Sequence, residues 1–111
     1  MTRLFSEPSA PLTEPTYCIL AALARPRHGY AVMQWVAEVT AQRVKLGPGT
    51  LYGALTSLQS RGFIAAAGEG VEGNERRKVY GLTGAGRALL DLETTRLESL
   101  ARVGRQALNQ Q

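Results

Sequence analysis

The hydrophobic pattern is clearest midway along the chain, where Leu51, Leu55 and Leu58 are spaced four and then three residues apart. That spacing places the three leucines on one face of a helix. The Gly47-Pro48-Gly49 segment before them suits a turn, and Gly62 after them suits a helix stop. The pattern therefore predicts a short helix of nearly three turns with one buried face.

The other face of this helix is polar, but it lacks the Glu and Lys pairs that usually solubilise an exposed helix. Its members are Thr50, Tyr52, Gly53, Thr56, Ser57 and Gln59. A smooth face of small hydrogen-bonding groups can enter a DNA groove and approach bases and phosphates. Taken alone, the segment is also compatible with a core helix whose outer face has no function, in which Gly53 costs about 1 kcal/mol relative to Ala.

Two more helices are predicted before this one. Thr13-Glu14-Pro15 has the residues of a helix start, and the segment that follows is apolar on nearly all sides, as in a central core helix. A second helix is predicted to begin at His28-Gly29-Tyr30. Between this helix and the Gly-Pro-Gly turn, the alternation of Val44 and Leu46 favours a short strand.

A β-hairpin is predicted after Gly62. The apolar run at residues 63–67 and the alternating run at residues 76–82 are its strands, and residues 68–75, with three glycines and no period, are its loop. Three cations are expected at the base of the hairpin, beside DNA phosphates: Arg76, Arg77 and Lys78. The acidic tip is expected to stay out of the DNA.

A long final helix is predicted after a cap at Thr83-Gly84-Ala85-Gly86. If it is continuous from Ala85 to Leu108, it is roughly 36 Å long. The preceding unit is too small to cover its apolar stripe, so a second copy of the chain is the expected partner; a lone helix would leave the stripe in water. The predicted dimerisation residues are Leu89, Leu92, Leu97, Leu100, Val103 and Leu108.

Together these elements predict a mainly α fold with a small β-hairpin, that is, a winged helix-turn-helix followed by a long C-terminal dimerisation helix. Three regions are expected: an N-terminal arm at residues 1–11, a DNA-binding domain at residues 12–83 and the dimerisation helix at residues 84–111. There are no internal repeats.

Composition and charge limit the classes of protein and the kinds of site that are expected. The net charge of +4 weakly favours a polyanionic partner. No apolar run approaches the length of a bilayer span and no signal-peptide pattern is present, so a cytoplasmic protein without a membrane partner is expected. Cys18 and His28 are the only residues of their types, which excludes an intramolecular disulfide and the usual zinc ligands. No cofactor is expected.

An enzyme is not expected. The Gly-Pro-Gly-Thr segment lacks the lysine and the spacing of a phosphate-binding loop. The single histidine lies beside a turn, and no base is placed to activate a serine or cysteine nucleophile.

Four segments of the chain resemble the PadR family of bacterial transcriptional regulators. They are residues 17–23, 28–32, 46–55 and 76–86, in this order. The resemblance extends from Leu12 to about Leu108, and the short C-terminus resembles the subgroup with a single dimerisation helix. It implies a homodimer that binds a palindromic operator and usually represses.

The resemblance also implies positions for DNA contact. Gly49, Thr50, Tyr52 and Gly53 would lie at the DNA-facing start of the recognition helix, and Arg76, Arg77 and Lys78 in the wing strand. We expect Arg43 and Lys45, just before the turn, to contact phosphates, and Ser57 and Gln59 are candidates for base contact. For Tyr17 and Tyr30, core packing and DNA contact are both open; for Tyr80, packing of the wing comes first.

Short members of this family can hold flat, apolar or cationic molecules between the two long helices, often beside an aromatic residue. The long helix of this chain has no aromatic residue, which argues against recognition by stacking there. Trp35 on the second helix is the candidate for an effector pocket, with packing alone as the alternative.

The predicted function is a sequence-specific homodimeric repressor that a small apolar effector releases from double-stranded DNA. The alternative from a different class is a winged-helix protein-interaction module that does not bind DNA. Salt-sensitive duplex binding distinguishes the two.

Overall fold

The computed structural model describes residues 10–72 and 75–110 of the chain. Its elements, in chain order, are α1 (Glu14–Ala22), β1 (Arg27–His28), α2 (Gly29–Val39), α3 (Pro48–Ser60), β2 (Ile64–Glu72), β3 (Glu75–Leu82) and α4 (Gly84–Asn109). The predicted fold class, mainly α with a hairpin and a long last helix, is confirmed. Residues 1–9 of the predicted N-terminal arm lie outside the described residues.

The first two helices begin where local sequence predicts. Thr13 is the N-cap of α1, and its hydroxyl accepts a hydrogen bond from the Thr16 N–H at 3.3 Å. His28 is the N-cap of α2, where its Nδ1 accepts from the Ala31 N–H at 3.2 Å. Each cap satisfies a backbone donor that the first turn of a helix leaves unpaired.

α3 packs its leucines into the centre of the molecule. It starts with Pro48, whose missing N–H costs nothing in a first turn, and it stops before Gly62, whose φ of +83° favours glycine. Burial of the predicted leucine face is confirmed. The buried core, to which every helix before β2 contributes, consists of Ile19, Leu20, Ala22, Leu23, Val32, Val36, Val44, Leu51, Leu55, Leu58 and Ile64.

The sheet is three-stranded and antiparallel, in the order β1-β3-β2. The hairpin is confirmed, but the loop predicted at residues 68–75 was wrong: β2 continues to Glu72 and β3 begins at Glu75. Glycines there do not end the strand, because pairing with β3 supplies the backbone hydrogen bonds. Gly68, at φ +104°, lies at a register shift between Ala66 and Glu69.

The strand predicted around Val44 and Leu46 was also wrong. Residues 40–47 form turns and irregular backbone, and the Val44 N–H bonds to the Thr40 hydroxyl at 3.0 Å. Val44 is buried and Leu46 is partly buried, so their alternation reflects two side chains that reach the core from a turn. The third strand of the sheet is instead Arg27–His28, which is too short to show a period in sequence.

The first half of α4 is attached to its own chain. The hydroxyl groups of Tyr17 and Thr94 form a hydrogen bond of 2.7 Å, and the Leu12 N–H donates to Glu93 Oε1 at 3.0 Å. Glu93 is buried, and the hydrogen bond from Arg96 holds the pKa of its carboxyl below the usual range, although burial opposes this. From Leu97 onward the helix is exposed. Within the described residues, no helix has both the length and the apolar character needed to cross a bilayer.

We expect Gly86→Ala to destabilise the fold by about 2 kcal/mol or more. A Cβ at Gly86 would lie 1.9 Å from the Phe63 carbonyl oxygen, a backbone atom that cannot turn aside. Gly84→Ala is the matched control because its Cβ would meet no described atom within 4 Å. Urea unfolding followed by circular dichroism, at one protein concentration, measures both. Equal stability of the two variants would show that the contact is absent.

Candidate nucleic-acid interface

The polar face of α3 is exposed along its length. Gly49, Thr50, Tyr52, Gly53 and Ser57 all lie on this face. The predicted recognition residues are therefore brought together on one exposed surface. Thr56 and Gln59 continue the same face toward the end of the helix.

Neither packing against the described residues nor backbone conformation requires glycine at positions 49 and 53. A Cβ built at either position would meet no described atom within 4 Å. Neither has a positive φ, and a glycine in a helix interior costs roughly 0.5–1 kcal/mol relative to Ala. The face is thus smoother than folding requires, as expected of a surface that another molecule approaches closely.

Tyr52 is held in place on this face. Its hydroxyl lies 2.7 Å from the position a Cβ would take on Gly29, which is buried at the start of α2. Gly29 therefore leaves the space that the Tyr52 ring uses. The ring still exposes 48% of its surface, and Tyr30 beside Gly29 exposes 44%. The N-terminal parts of α2 and α3 thus present two partly exposed tyrosines.

The wing cations lie farther from the helices than predicted. Strand pairing sets Arg76 opposite Val71, Arg77 opposite Gly70 and Lys78 opposite Glu69. These positions are in the distal half of the hairpin, because its base is the pair Ile64 and Leu82. The prediction of cations at the base was wrong. Lys78 is exposed and Arg77 is partly buried.

Arg43 and Lys45 lie two residues apart in the connector to α3 but differ in their surroundings. Arg43 donates to both carboxylate oxygens of Glu14, Nη1 to Oε1 at 3.2 Å and Nη2 to Oε2 at 2.5 Å. This hydrogen-bonded pair lowers the pKa of Glu14 and raises that of Arg43. Arg43 also borders a cavity against α4, together with Glu93 and Leu97. Lys45 is exposed and lies two residues before Gly47, which is the N-cap of α3.

Two consecutive residues of this connector, Ala41 and Gln42, have φ values of 53° and 68°. This left-handed backbone is uncommon for residues with a Cβ. The turn is stabilised by hydrogen bonds from the Gln42 N–H to the Ala37 carbonyl at 2.7 Å and from the Arg43 N–H to the Thr40 carbonyl at 3.0 Å. The connector is therefore a defined turn that orients Arg43 toward α1.

Most of the predicted dimerisation stripe is exposed. Leu92, Leu97, Leu100, Val103 and Leu108 leave between 39% and 69% of their surfaces open. Leu89 differs, because it is partly buried and packs against the core of its own chain. The exposed stripe thus begins at Leu92.

Trp35 packs within its own chain. The Arg27 guanidinium lies over its ring, 5.0 Å from the centroid, and the indole contacts the core. The cavity beside α4 has a volume of about 380 Å³, and Tyr17 and Cys18 line it together with Leu12 and Leu97. Among its described lining residues the aromatic one is Tyr17, not Trp35. Tyr17 is partly buried and its hydroxyl has a partner in Thr94, whereas Tyr80 packs against the core.

Sequence reasoning missed several residues that organise this surface. The close approach of Gly29 to Tyr52 and the Glu14–Arg43 pair join segments far apart in the chain, so no local pattern signals them. Within the described residues, no group of three His, Cys, Asp or Glu side chains is arranged to hold a metal ion.

A protein-family model described as "Transcriptional regulator PadR-like family" matches residues 19–92, from α1 to the first third of α4. The chain belongs to this family. The match includes α2, α3 and the whole hairpin, which carry the exposed polar face and the wing cations.

Individual relatives agree with the PadR-like assignment. Transcriptional regulator Rv3488 of Mycobacterium tuberculosis is 40% identical over 65 residues, which cover 59% of this chain and 60% of the relative. The chain spans less than two thirds of the curated relatives that it matches, and only 22% of a 37.1 kDa protein in a Streptomyces fradiae transposon.

Solved PadR structures share the fold. A PadR family regulator from Clostridium difficile is 25% identical with a TM-score of 0.71, and the alignment covers 87% of this chain and 100% of that one. PadR of Bacillus subtilis, solved in complex with operator DNA, is 26% identical with a TM-score of 0.62. Its alignment covers 73% of this chain and 46% of that one.

We expect Gly53→Ala to have opposite effects on folding and on DNA binding in this PadR-like chain. The methyl group meets open space, so the variant should gain roughly 0.5–1 kcal/mol of folding stability. The same methyl would keep a DNA surface from approaching α3, so duplex affinity should fall. Urea unfolding and fluorescence anisotropy measure the two effects.

Gly84→Ala is the control for this pair of measurements, because it adds a methyl to an exposed helical glycine that is not part of the α3 face. It should leave duplex binding unchanged. Gain of stability in Gly53→Ala without any loss of affinity would show that DNA does not approach this face.

Proposed function

We propose that this chain is a homodimeric transcriptional repressor that binds a palindromic DNA operator and is released by a small apolar effector. The observation that carries the proposal is the exposed face of α3, where Gly49 and Gly53 keep the surface smooth beside the half-exposed Tyr52. The family assignment and the operator complex of Bacillus subtilis PadR support DNA as the partner.

In this proposal α3 enters the major groove. Thr50, Tyr52 and Ser57 face the bases or the adjacent phosphates, and the small residues between them permit close approach. Lys45 lies in front of the start of α3, and the wing carries Arg76, Arg77 and Lys78 toward phosphates. We do not assign Arg43 to a phosphate, because Glu14 binds its guanidinium on the side of α1 and α4.

Dimerisation would use the exposed stripe of α4. Complete burial of a leucine side chain contributes roughly 1.5–3 kcal/mol, so several exposed leucines favour association. Since the first half of α4 is attached to its own domain, the exposed second half is free to contact the same helix of another copy. A two-fold dimer would place its two α3 helices in successive major grooves, roughly 34 Å apart.

The proposed effector site is the cavity between α1 and α4. The exposed lining area is mainly apolar, with Tyr17 as the aromatic surface, and the charged residues that line it are Glu14, Arg43 and Glu93. A ligand there would lie beside the Tyr17–Thr94 and Leu12–Glu93 hydrogen bonds that attach α4 to the domain. Weakening these bonds would change how the two DNA-binding domains are held, which is a route to release.

Titration of a labelled duplex tests the function directly. The duplex carries the region upstream of the protein's own gene, and a scrambled duplex of equal length is the comparison, each at two salt concentrations. Tighter, salt-sensitive binding to the upstream duplex is expected if the protein regulates its own gene. Absence of binding to any duplex at low salt, including a randomised pool, would contradict the proposal and favour the protein-interaction module.

Lys45→Ala and Arg43→Ala should separate phosphate contact from intrachain pairing. Loss of one phosphate contact reduces the slope of log affinity against log salt by about 0.9 and weakens binding to all sequences alike. We expect this for Lys45→Ala. Arg43→Ala removes the pair with Glu14 instead, so its salt slope should stay near that of the unaltered protein.

Fluorescence anisotropy over a series of salt concentrations provides both slopes. An unchanged slope for Lys45→Ala, or an equal reduction of the slope in both variants, would contradict the assignment of Lys45 to a phosphate and of Arg43 to the pair with Glu14.

Leu100→Glu should convert the dimer to a monomer, because it places a charge within the apolar stripe. Arg105→Gln is the control: it changes the net charge by the same amount on the side of α4 that faces away from the stripe. Sedimentation velocity reports the mass of each. A dimer that persists in Leu100→Glu would mean that another surface joins the copies.

A further inference from the structure

One threonine connects the end of α3 to the start of α4. The Thr83 hydroxyl donates to the Gly62 carbonyl at 2.7 Å and accepts from the Gly86 N–H at 3.0 Å. The Thr83 backbone N–H also donates to the Phe63 carbonyl at 3.1 Å. We call these four residues, Gly62, Phe63, Thr83 and Gly86, the α3–α4 joint.

Backbone contacts leave this joint little freedom. Gly62 and Phe63 are bound to the last turn of α3, through N–H groups that donate to the Gln59 and Leu58 carbonyls at 3.0 and 2.9 Å. On the other side, the absence of a Cβ on Gly86 lets α4 approach the Phe63 carbonyl directly. The joint is therefore a short chain of hydrogen bonds and one close backbone contact between the two helices.

The joint matters because the two helices have different partners in the proposed function. α3 presents the smooth polar face, and α4 presents the apolar stripe. In a symmetric dimer, the angle between α3 and α4 sets the distance and rotation between the two α3 helices. One added base pair moves a half-site by about 3.4 Å and rotates it by about one tenth of a turn.

We infer that Thr83 is a positioning residue that determines which spacing between operator half-sites the dimer accepts. This inference rests on the proposed function, because it requires a dimer and two half-sites. A stiff joint reduces the conformational freedom that must be lost when both half-sites are bound, and it excludes duplexes with the wrong spacing.

Three substitutions separate the two roles of the Thr83 hydroxyl. Thr83→Ser keeps both the acceptor for Gly86 and the donor for Gly62. Thr83→Asp keeps an N-cap acceptor for α4, but an ionised carboxylate has no proton to donate to the Gly62 carbonyl. In Thr83→Val the side chain keeps a similar shape, but it can neither accept a hydrogen bond from Gly86 nor donate one to Gly62. The comparison of Ser with Asp therefore isolates the bond to Gly62 from the helix cap.

The probe is a duplex that the unaltered full-length protein selects from a randomised pool. Versions with one or two base pairs inserted at its centre change the spacing, and a duplex with one half-site reports the contacts of a single α3. For the unaltered protein and Thr83→Ser, one inserted base pair should weaken binding by about tenfold or more, since both half-sites are no longer bound together.

Thr83→Asp should lose most of this spacing dependence: one inserted base pair should change its affinity by about threefold or less. Its affinity for the duplex with a single half-site should stay unchanged. A merely structural role would lower the affinity for all duplexes together and the melting temperature with it. Thr83→Val should resemble Thr83→Asp in spacing dependence and have the lower melting temperature of the two, because it also lacks the cap.

Spacing dependence in Thr83→Asp equal to that of the unaltered protein would overturn the inference and leave the proposed function in place. So would a parallel loss of half-site and full-site affinity. If the unaltered protein is a dimer that selects a duplex but tolerates every spacing, the inference also fails. Failure to select any duplex would instead overturn the proposed function, and the inference with it.

Discussion

Burial of the Leu51, Leu55 and Leu58 face is the interaction on which the rest of the structure depends. These side chains are fully buried among residues from α1, α2 and β2, so α3 can take only one rotation about its axis. That rotation directs Thr50, Tyr52 and Ser57 outward. The proposed DNA surface is thus a consequence of the core, and the same hydrophobic free energy that folds the domain holds the surface in place.

Polar contacts determine how α4 lies on this domain. Its first turn meets Phe63 through Gly86, and its third turn bonds to Leu12 through Glu93 and to Tyr17 of α1 through Thr94. Glu93 is a buried carboxylate whose three hydrogen bonds, two of them from Arg96, compensate its loss of water. One end of α4 is therefore fixed in direction, and the exposed stripe extends from it. This arrangement links the geometry of a proposed dimer to that of its DNA surface.

Prediction from sequence worked best where one periodic signal was strong. The leucine face of α3 and the stripe of α4 have the helical period over many residues, and the caps at Thr13 and His28 are local. It failed where backbone pairing outweighed composition. Gly70 belongs to a strand because it pairs with Arg77 of β3, and Gly68 lies at the register shift in the same strand. The Val44–Leu46 alternation belongs to a turn, in which Thr40 bonds to Val44. The ion pair between Arg43 and Glu14 joins residues far apart in the chain, so no local pattern in the sequence indicates it.

The sequence by itself determined the helices, the hairpin and the apolar stripe, and through four motif segments it indicated the family. These properties depend on residues within a few positions of one another, because helical and strand periods and helix caps are local. Only the tertiary structure decided that Gly29 makes room for Tyr52, that Tyr17 rather than Trp35 lines the cavity, and that Thr83 joins α3 to α4. Each of these contacts joins residues more than twenty positions apart, where only the packing of the whole chain selects the partner.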